Sequence, residues 1–403
     1  MIPLKALFLT NRVPFPPKSG YPIVVYNTIK GLLALGVEIT LFSLNPNKHW
    51  VDTDDIYDPV FDNIQFHTQD LDTEVNFWDA VFNIFSNESY NVSRFYSDEA
   101  ALSLENILKE TDFDIIQFES LFVVPYLDIV KANSKARLIY RAHNIVYDVW
   151  ERIAHTERFR PRKRYLQFLA RRLKAYETEQ INRFHKVFAI SEPDRQNILK
   201  FGCEISLDVF PVALDFRQYQ AVAPKSNFPT LFHLGSMDWG PNKEGIEWFL
   251  SEVWPDIEEL NSELRFYIAG KNMPRHIFEY DSDNVVVEGQ IFDAVEFMNS
   301  KSIMIVPLLS GTGMRVKILE GMAMNKCIIA TTIAAEGIVC ENGKDILLAD
   351  TPDEFFRCIL QCITNPGKLK EIGDNARKTA ERHYDISSVS RRMFSVYNEL
   401  LNT

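Results

Sequence analysis

Cysteine is scarce in this chain and follows no pattern. Among 403 residues there are five: Cys203, Cys327, Cys340, Cys358 and Cys362. No Cys-x-x-Cys occurs, and no histidine pair stands near Cys358 and Cys362 to complete a zinc site. All five read as free thiols, which suits a reducing, cytoplasmic compartment. Long apolar runs are also missing. No segment reaches the roughly 20 apolar residues of a spanning helix. The opening Met1–Thr10 is too short for a signal peptide and is broken by Asn11-Arg12. Positive charge is in deficit: the formal net charge is -12. Nucleic-acid affinity comes from neutralising phosphates, so general nucleic-acid binding is excluded. Neither Gly-x-Gly-x-x-Gly nor a P-loop is present, which argues against a dinucleotide enzyme or an NTPase. Asp54-Asp55 and Asp281-Ser-Asp283 lie in polar stretches with no strand leading into them, so no metal is expected.

What is present is a large apolar core. The chain is 46% hydrophobic with 29 phenylalanines, which excludes disorder and, at this length, favours two domains. Short apolar runs alternate with longer amphipathic stretches. Strands are expected at 4–10, 37–44, 114–118, 137–141 and 186–190, with a helix over 21–35 ending at Gly36. Prolines cluster at 211, 224 and 229, which places a linker over 210–230. The rhythm then restarts with strands at 230–234, 264–269, 284–287, 303–307 and 327–331 and helices at 242–250 and 314–324. Helices at 352–363, 369–383 and 387–402 close the chain. The segment 45–97 reads as irregular. Strands alternating with helices predict parallel sheets covered on both faces. The expected fold is α/β, with two tandem Rossmann-like, doubly wound domains facing a cleft. The expected boundaries are 1–212, 213–385 and a closing helix, 386–403, which crosses back to the first domain.

Two loops follow buried strands and can carry chemistry. After the first strand, Asn11–Gly20 puts Gly20 at a helix start, where backbone amides can meet an anion. A plain proline-rich connection explains it equally. After 303–307 comes Ser310-Gly-Thr-Gly-Met-Arg-Val-Lys-Ile-Leu-Glu320. Helix-start amides with Arg315 and Lys317 suit a diphosphate, and the Glu320 carboxylate can accept from two vicinal hydroxyls of a ribose. An ordinary loop with solvated charges is the alternative. His143, Glu119 and Ser191 each end a strand where ligands bind, although cap or turn roles also suit them.

The order of the motifs is more specific than any one of them. The stretches 234–249, 306–323 and 335–338 resemble the donor domain of glycosyltransferase family 4, and 141–147 and 188–194 resemble its acceptor domain. The resemblance implies a GT-B fold. It also implies a retaining, metal-independent hexosyl or related transferase with no resident cofactor, using a UDP- or GDP-sugar as co-substrate. Glu320 corresponds to the second Glu of the Glu-x7-Glu motif, which binds the donor ribose. His143 corresponds to a histidine near the donor sugar. Gly20 matches the first loop near the diphosphate, and Gly311, Thr312, Gly313, Met314 and Val316 would offer backbone amides. Three positions depart from the family. Thr312 stands where the first Glu belongs, and Ser236 and Asn242 stand where an arginine and a lysine belong, with Lys243 one residue off. Arg315 and Lys317 are expected to supply the missing charge. A non-catalytic nucleotide-sugar binder that keeps the fold is the alternative reading.

One basic tract interrupts the acidic chain: 158–174 holds eight cations and no acid, interleaved with Phe159, Tyr165, Phe168 and leucines. It predicts an amphipathic helix from about Pro161. Such a helix either rests on an anionic membrane at the inner face or packs an apolar stripe inward. The implied partners are a nucleotide-sugar donor and a glycan, lipid-linked or small-molecule acceptor.

Overall fold

Ala6, Leu7, Phe8 and Leu9 form an unbroken apolar run, and none is more than 1% exposed. A run buried from both sides belongs in the middle of a covered sheet, and this one is strand β1, Lys5–Thr10. The computed structural model describes residues 3–18, 20–73, 90–157, 159–220, 229–260, 263–311 and 313–402. The chain divides into two compact units, Met1–Ala213 with Ile386–Thr403, and Leu214–Asp385.

The first unit is built on a seven-stranded parallel sheet. Its strands are β1, β2 (Glu38–Pro46), β3 (Gln65–Leu71), β4 (Ile115–Phe118), β5 (Arg137–Ala142), β6 (Lys186–Ala189) and β7 (Leu207–Val209). Their order is β3-β2-β1-β4-β5-β6-β7, with Ala6 opposite Ile39 on one side and Ile115 on the other. The chain order therefore reverses between β1 and β4. At such a point the connections leave in opposite directions and open a crevice beyond the strand ends. The second unit repeats the plan with six strands: β8 (Leu231–Leu234), β9 (Phe266–Ala269), β10 (Val285–Gly289), β11 (Ile303–Val306), β12 (Cys327–Ala330) and β13 (Leu347–Leu348). The order is β10-β9-β8-β11-β12-β13, so the reversal falls between β8 and β11.

The segment 45–97 is less irregular than its sequence suggests. It contains β3, an edge strand whose residues are mostly half-buried and therefore lack an apolar run. Residues 74–89 of that segment, and 221–228 of the expected linker, lie outside the described residues. The closing helix, Ile386–Leu401, packs with the first unit although it follows the second in sequence. Its Ile386, Val389, Met393 and Tyr397 join one core cluster with Val25, Ile29, Leu32 and Phe210.

The basic tract becomes the helix Arg160–Ile181, and Arg158 lies outside the described residues. Leu166, Ala170 and Leu173 are buried, as an inward stripe requires. Phe159, Tyr165 and Phe168 stay 66%, 38% and 41% exposed among the cations. Among the described residues no helix is long and apolar enough to cross a membrane. All five cysteines are free.

Candidate functional site

In the second unit, β8 ends at Leu234 and delivers Gly235 and Ser236 to the point where the chain order reverses. From the other side of that point, β11 runs through the glycine loop into the helix Val316–Ala323. Lys317, on the first turn, donates from Nζ to Asn242 Oδ1 at 2.7 Å. The same amide donates from Nδ2 to the Ser236 carbonyl at 2.8 Å. A Cβ at position 235 would lie 2.7 Å from Asn242 Nδ2 and 3.0 Å from Lys317 Nζ, so only glycine leaves room for this network. Burial, with Arg315 close by, pulls the Lys317 ammonium down to about 7. Among the described residues no side chain caps this helix, which begins at Val316; its Val316 and Ile318 amides donate to the Met314 and Arg315 carbonyls at 3.1 and 2.9 Å, and the positive end of the dipole faces the loop. Glu320 lies one turn further on. It accepts a hydrogen bond from the Tyr219 hydroxyl at 3.0 Å, and burial pushes its carboxyl up to about 7 against that bond. Tyr219 is held in turn by Arg377, which donates to its carbonyl at 2.7 Å.

The first unit gathers a different set at its own reversal point. Arg12 follows β1, Glu119 follows β4 and His143 follows β5. His143 Nε2 lies 2.5 Å from Glu119 Oε2. Gln117 donates to Glu119 Oε1 at 2.5 Å and accepts from the Tyr397 hydroxyl at 2.5 Å. A chain of hydrogen bonds thus runs from the closing helix to His143. Arg141 is fully buried, donates to Thr28 Oγ1 at 2.7 Å, and comes within 3.8 Å of Glu119. Burial opposes ionisation of Glu119. The charge of Arg141 and the bonds from His143 and Gln117 outweigh it and hold the carboxyl below its ordinary range. Burial lowers the His143 imidazole, with Glu119 pulling the other way. The Tyr21 ring lies 4.6 Å from the His143 ring, centre to centre, and the Arg12 guanidinium lies over the Tyr21 ring, 5.1 Å from its centroid. Arg12, Tyr21 and His143 line a pocket of about 670 Å³ within the first unit.

Residues 19–216 match the family described as Glycosyltransferase Family 4, and residues 228–365 match that described as Glycosyl transferases group 1. The chain belongs to glycosyltransferase family 4. An uncharacterized 44.6 kDa protein in the cps region of Klebsiella pneumoniae is 24% identical over 301 residues, covering 72% of this chain and 76% of that one. Among solved structures, sucrose-phosphate synthase from Thermosynechococcus elongatus superposes with a TM-score of 0.72 at 14% identity over 99% of each chain. HepE of Anabaena, in complex with UDP and glucose, gives 0.66 at 13% identity over 98% of this chain and 99% of that one. At such identities the likeness is one of fold, and that fold is GT-B.

Seen residue by residue, the transferase brings Ser236, Asn242 and Lys317 into one network. Lys243 stands apart, half-exposed and 3.8 Å from Glu247. Arg315 is buried, donates to the Gly313 carbonyl, and lies 5.7 Å from the centre of the Trp239 ring. It is folded into the loop itself. Gly311 and Gly313 take positive φ, 112° and 82°, and shape that loop, with Met314 half-buried and Val316 buried beyond it. Thr312 lies outside the described residues. Gly20 is the exposed first residue of the helix Gly20–Leu33. Ser191 caps the helix Glu192–Lys200, accepting from the Asp194 amide. Sequence reasoning missed Tyr219, Trp239, Arg12 and Gln117. Tyr219 carries no local signal, since its partner is 101 residues away. Arg12 did carry one, as a cation directly after a buried strand.

Proposed function

We propose that the transferase moves a hexosyl or related unit from a UDP- or GDP-sugar to a glycan or lipid-linked acceptor in polysaccharide synthesis. The single observation that carries this reading is the Lys317–Asn242–Gly235 cluster beside an uncapped helix start, with Glu320 one turn away. A diphosphate fits the first part, because fixed amides and one ammonium offer it charge without reorganisation. A ribose fits the second, because an ionised carboxylate accepts from two vicinal hydroxyls. Donors bound by HepE and the cps location of the Klebsiella relative agree with this choice.

In the proposed reaction the glycosidic bond to the diphosphate breaks and negative charge accumulates on the leaving oxygen. Lys317 and the helix amides stabilise that charge. The leaving phosphate takes the acceptor proton on the same face as the acceptor attacks, so the configuration is retained and no separate base is needed. His143, held by Glu119, lines the acceptor side. The residues supply the positive charge themselves, and neither a metal nor a resident cofactor is part of the proposal.

Replacing Glu320 with Gln leaves one acceptor atom for two hydroxyls. Affinity for the nucleoside diphosphate should fall by roughly tenfold or more, as loss of a hydrogen bond to a charged group predicts. Calorimetry on the folded variant measures it, and an unchanged affinity would place the ribose elsewhere. The exposed Phe159, Tyr165 and Phe168 favour contact between 158–174 and an anionic bilayer, the cations adding about 1 kcal/mol each near the surface. Sedimentation with phosphatidylglycerol vesicles should carry the wild type down and leave a Phe159→Ser/Phe168→Ser variant in solution. Equal behaviour of the two would assign the tract to packing alone.

A further inference from the structure

The pocket of the first unit has an unusual lining for a chain with a net charge of -12. Five basic side chains reach it from four separate parts of the sequence: Arg12 after β1, Lys48 and His49 after β2, Arg94, and His143 after β5. Among the described residues none of those lining it bears a carboxylate. Two acids next to lining residues, Glu119 beside Ser120 and Asp72 beside Thr73, are engaged elsewhere. Glu119 stands behind His143, and Asp72 accepts from Asn47, itself a lining residue, at 2.9 Å. Arg12 and Lys48 make no ion pair among the described residues, and the Arg12 guanidinium is half-buried against the Tyr21 ring. Burial lowers the His49 imidazole, and Arg12 and Lys48 lower it further, which locates all three in one positive field.

A surface that merely kept this chain soluble would intersperse both signs. The Arg12 and Lys48 cations, drawn from distant segments into one concavity, repel one another, and a bound anion relieves that cost. An arginine can also meet the oxygens of a phosphate or carboxylate in a two-pronged fashion. Resting on the reading of the first unit as the acceptor side, we propose that this pocket binds an acceptor bearing an acidic group, a phosphate or a carboxylate, with Arg12, Lys48 and Arg94 holding it. The neutral amides and hydroxyls of the lining, such as Asn144 and Ser120, are left to meet sugar hydroxyls. Selection of the acceptor then begins with charge, and a neutral sugar of the same shape is disfavoured because it gives Arg12 and Lys48 no counter-charge.

The test is calorimetric titration of the full chain with glucose, glucose 6-phosphate and glucuronate, at low salt and in saturating UDP. An anionic probe should bind at least roughly tenfold tighter than glucose, as one or more charged hydrogen bonds predict. The advantage should shrink as salt is added. A preference for glucose 6-phosphate identifies a phosphate-bearing acceptor, and one for glucuronate an acidic sugar. In Arg12→Gln/Lys48→Gln/Arg94→Gln the advantage should vanish, while the charge-conserving Arg12→Lys/Lys48→Arg/Arg94→Lys retains it. Three probes that bind alike, or not at all, overturn the proposal, as does a preference that survives the triple Gln variant. UDP binding is read in the same samples, and its failure would count against the donor reading without altering the ranking of the sugars.

Discussion

Lys317→Ala should lower turnover by about 10²–10³, the effect of losing one fixed group that stabilises developing charge in comparable sites. Three features single this lysine out. It stands on the first turn of an uncapped helix, it bonds Asn242 across the point where the strand order reverses, and Gly235 leaves it the space to do so. Arg315→Ala should cost less, because that guanidinium is already spent on the Gly313 carbonyl and lies against Trp239. The acidity of the site adds a second signature. In the free protein the Lys317 ammonium loses its proton near pH 7, and a diphosphate favours the charged form. Donor binding must therefore take up a proton, and affinity should fall as pH rises above about 7. Glu320 works in the opposite direction. Its carboxyl titrates near 7 and ribose hydroxyls favour the ionised form, so affinity should also fall below that pH. The wild type should show a bell, Lys317→Ala should lose its alkaline limb, and Glu320→Gln its acid limb. Should Lys317→Ala keep both its turnover and its alkaline limb, the diphosphate is held by other groups.

Removing Ile386–Thr403 should unfold the first unit. The helix buries Ile386, Val389, Met393 and Tyr397, none more than 6% exposed. At about 1.5–3 kcal/mol for each large apolar side chain, their loss approaches the 5–15 kcal/mol that stabilises a whole domain. The contact is close as well as apolar: a Cβ on Gly31 would lie 1.9 Å from Ser390 Oγ, so the two helices meet where only glycine fits. The Tyr397 bond to Gln117 would also be lost, and with it the far end of the chain that orients Glu119 and His143. Scanning calorimetry of the truncated chain should lack the transition of the first unit, while nucleoside diphosphate binding reports on the second. A first-unit transition at its normal temperature would show that the helix contributes nothing there.

These two cases mark what could be read from the sequence. The central strands were legible because a run such as Ile303–Val306, buried on both faces, has no polar alternation to confuse it. The glycine loop was legible because it follows such a strand, and the stripe on the last helix because its apolar residues keep helical spacing. Three of the four edge strands were not: β3 is half-solvated, and β7 and β13 span three and two residues, whereas β10, the remaining edge, keeps the apolar run Val285–Val287 and was legible. Site residues divided along a similar line. Lys317 and Glu320 sit on one helix turn and could be found by spacing. Of their partners, Asn242 entered only through the family resemblance and Tyr219 not at all, because they come from 75 and 101 residues away and no local period encodes such a meeting. The folded position of Arg315 was invisible for a further reason: in sequence it is one more cation two residues from Lys317. Only the packing of Trp239 against the loop decides where it turns.

The most direct test of the donor site is a calorimetric titration of UDP and GDP into the full chain across pH 5.5–8.5, a range bracketing the two groups near 7, with EDTA present. One of the two nucleotides should bind without added metal, most tightly near neutrality, and Glu320→Gln and Lys317→Ala should each remove one limb of the curve. Binding that appears only when magnesium or manganese is restored, or that is untouched by both substitutions, would contradict the account.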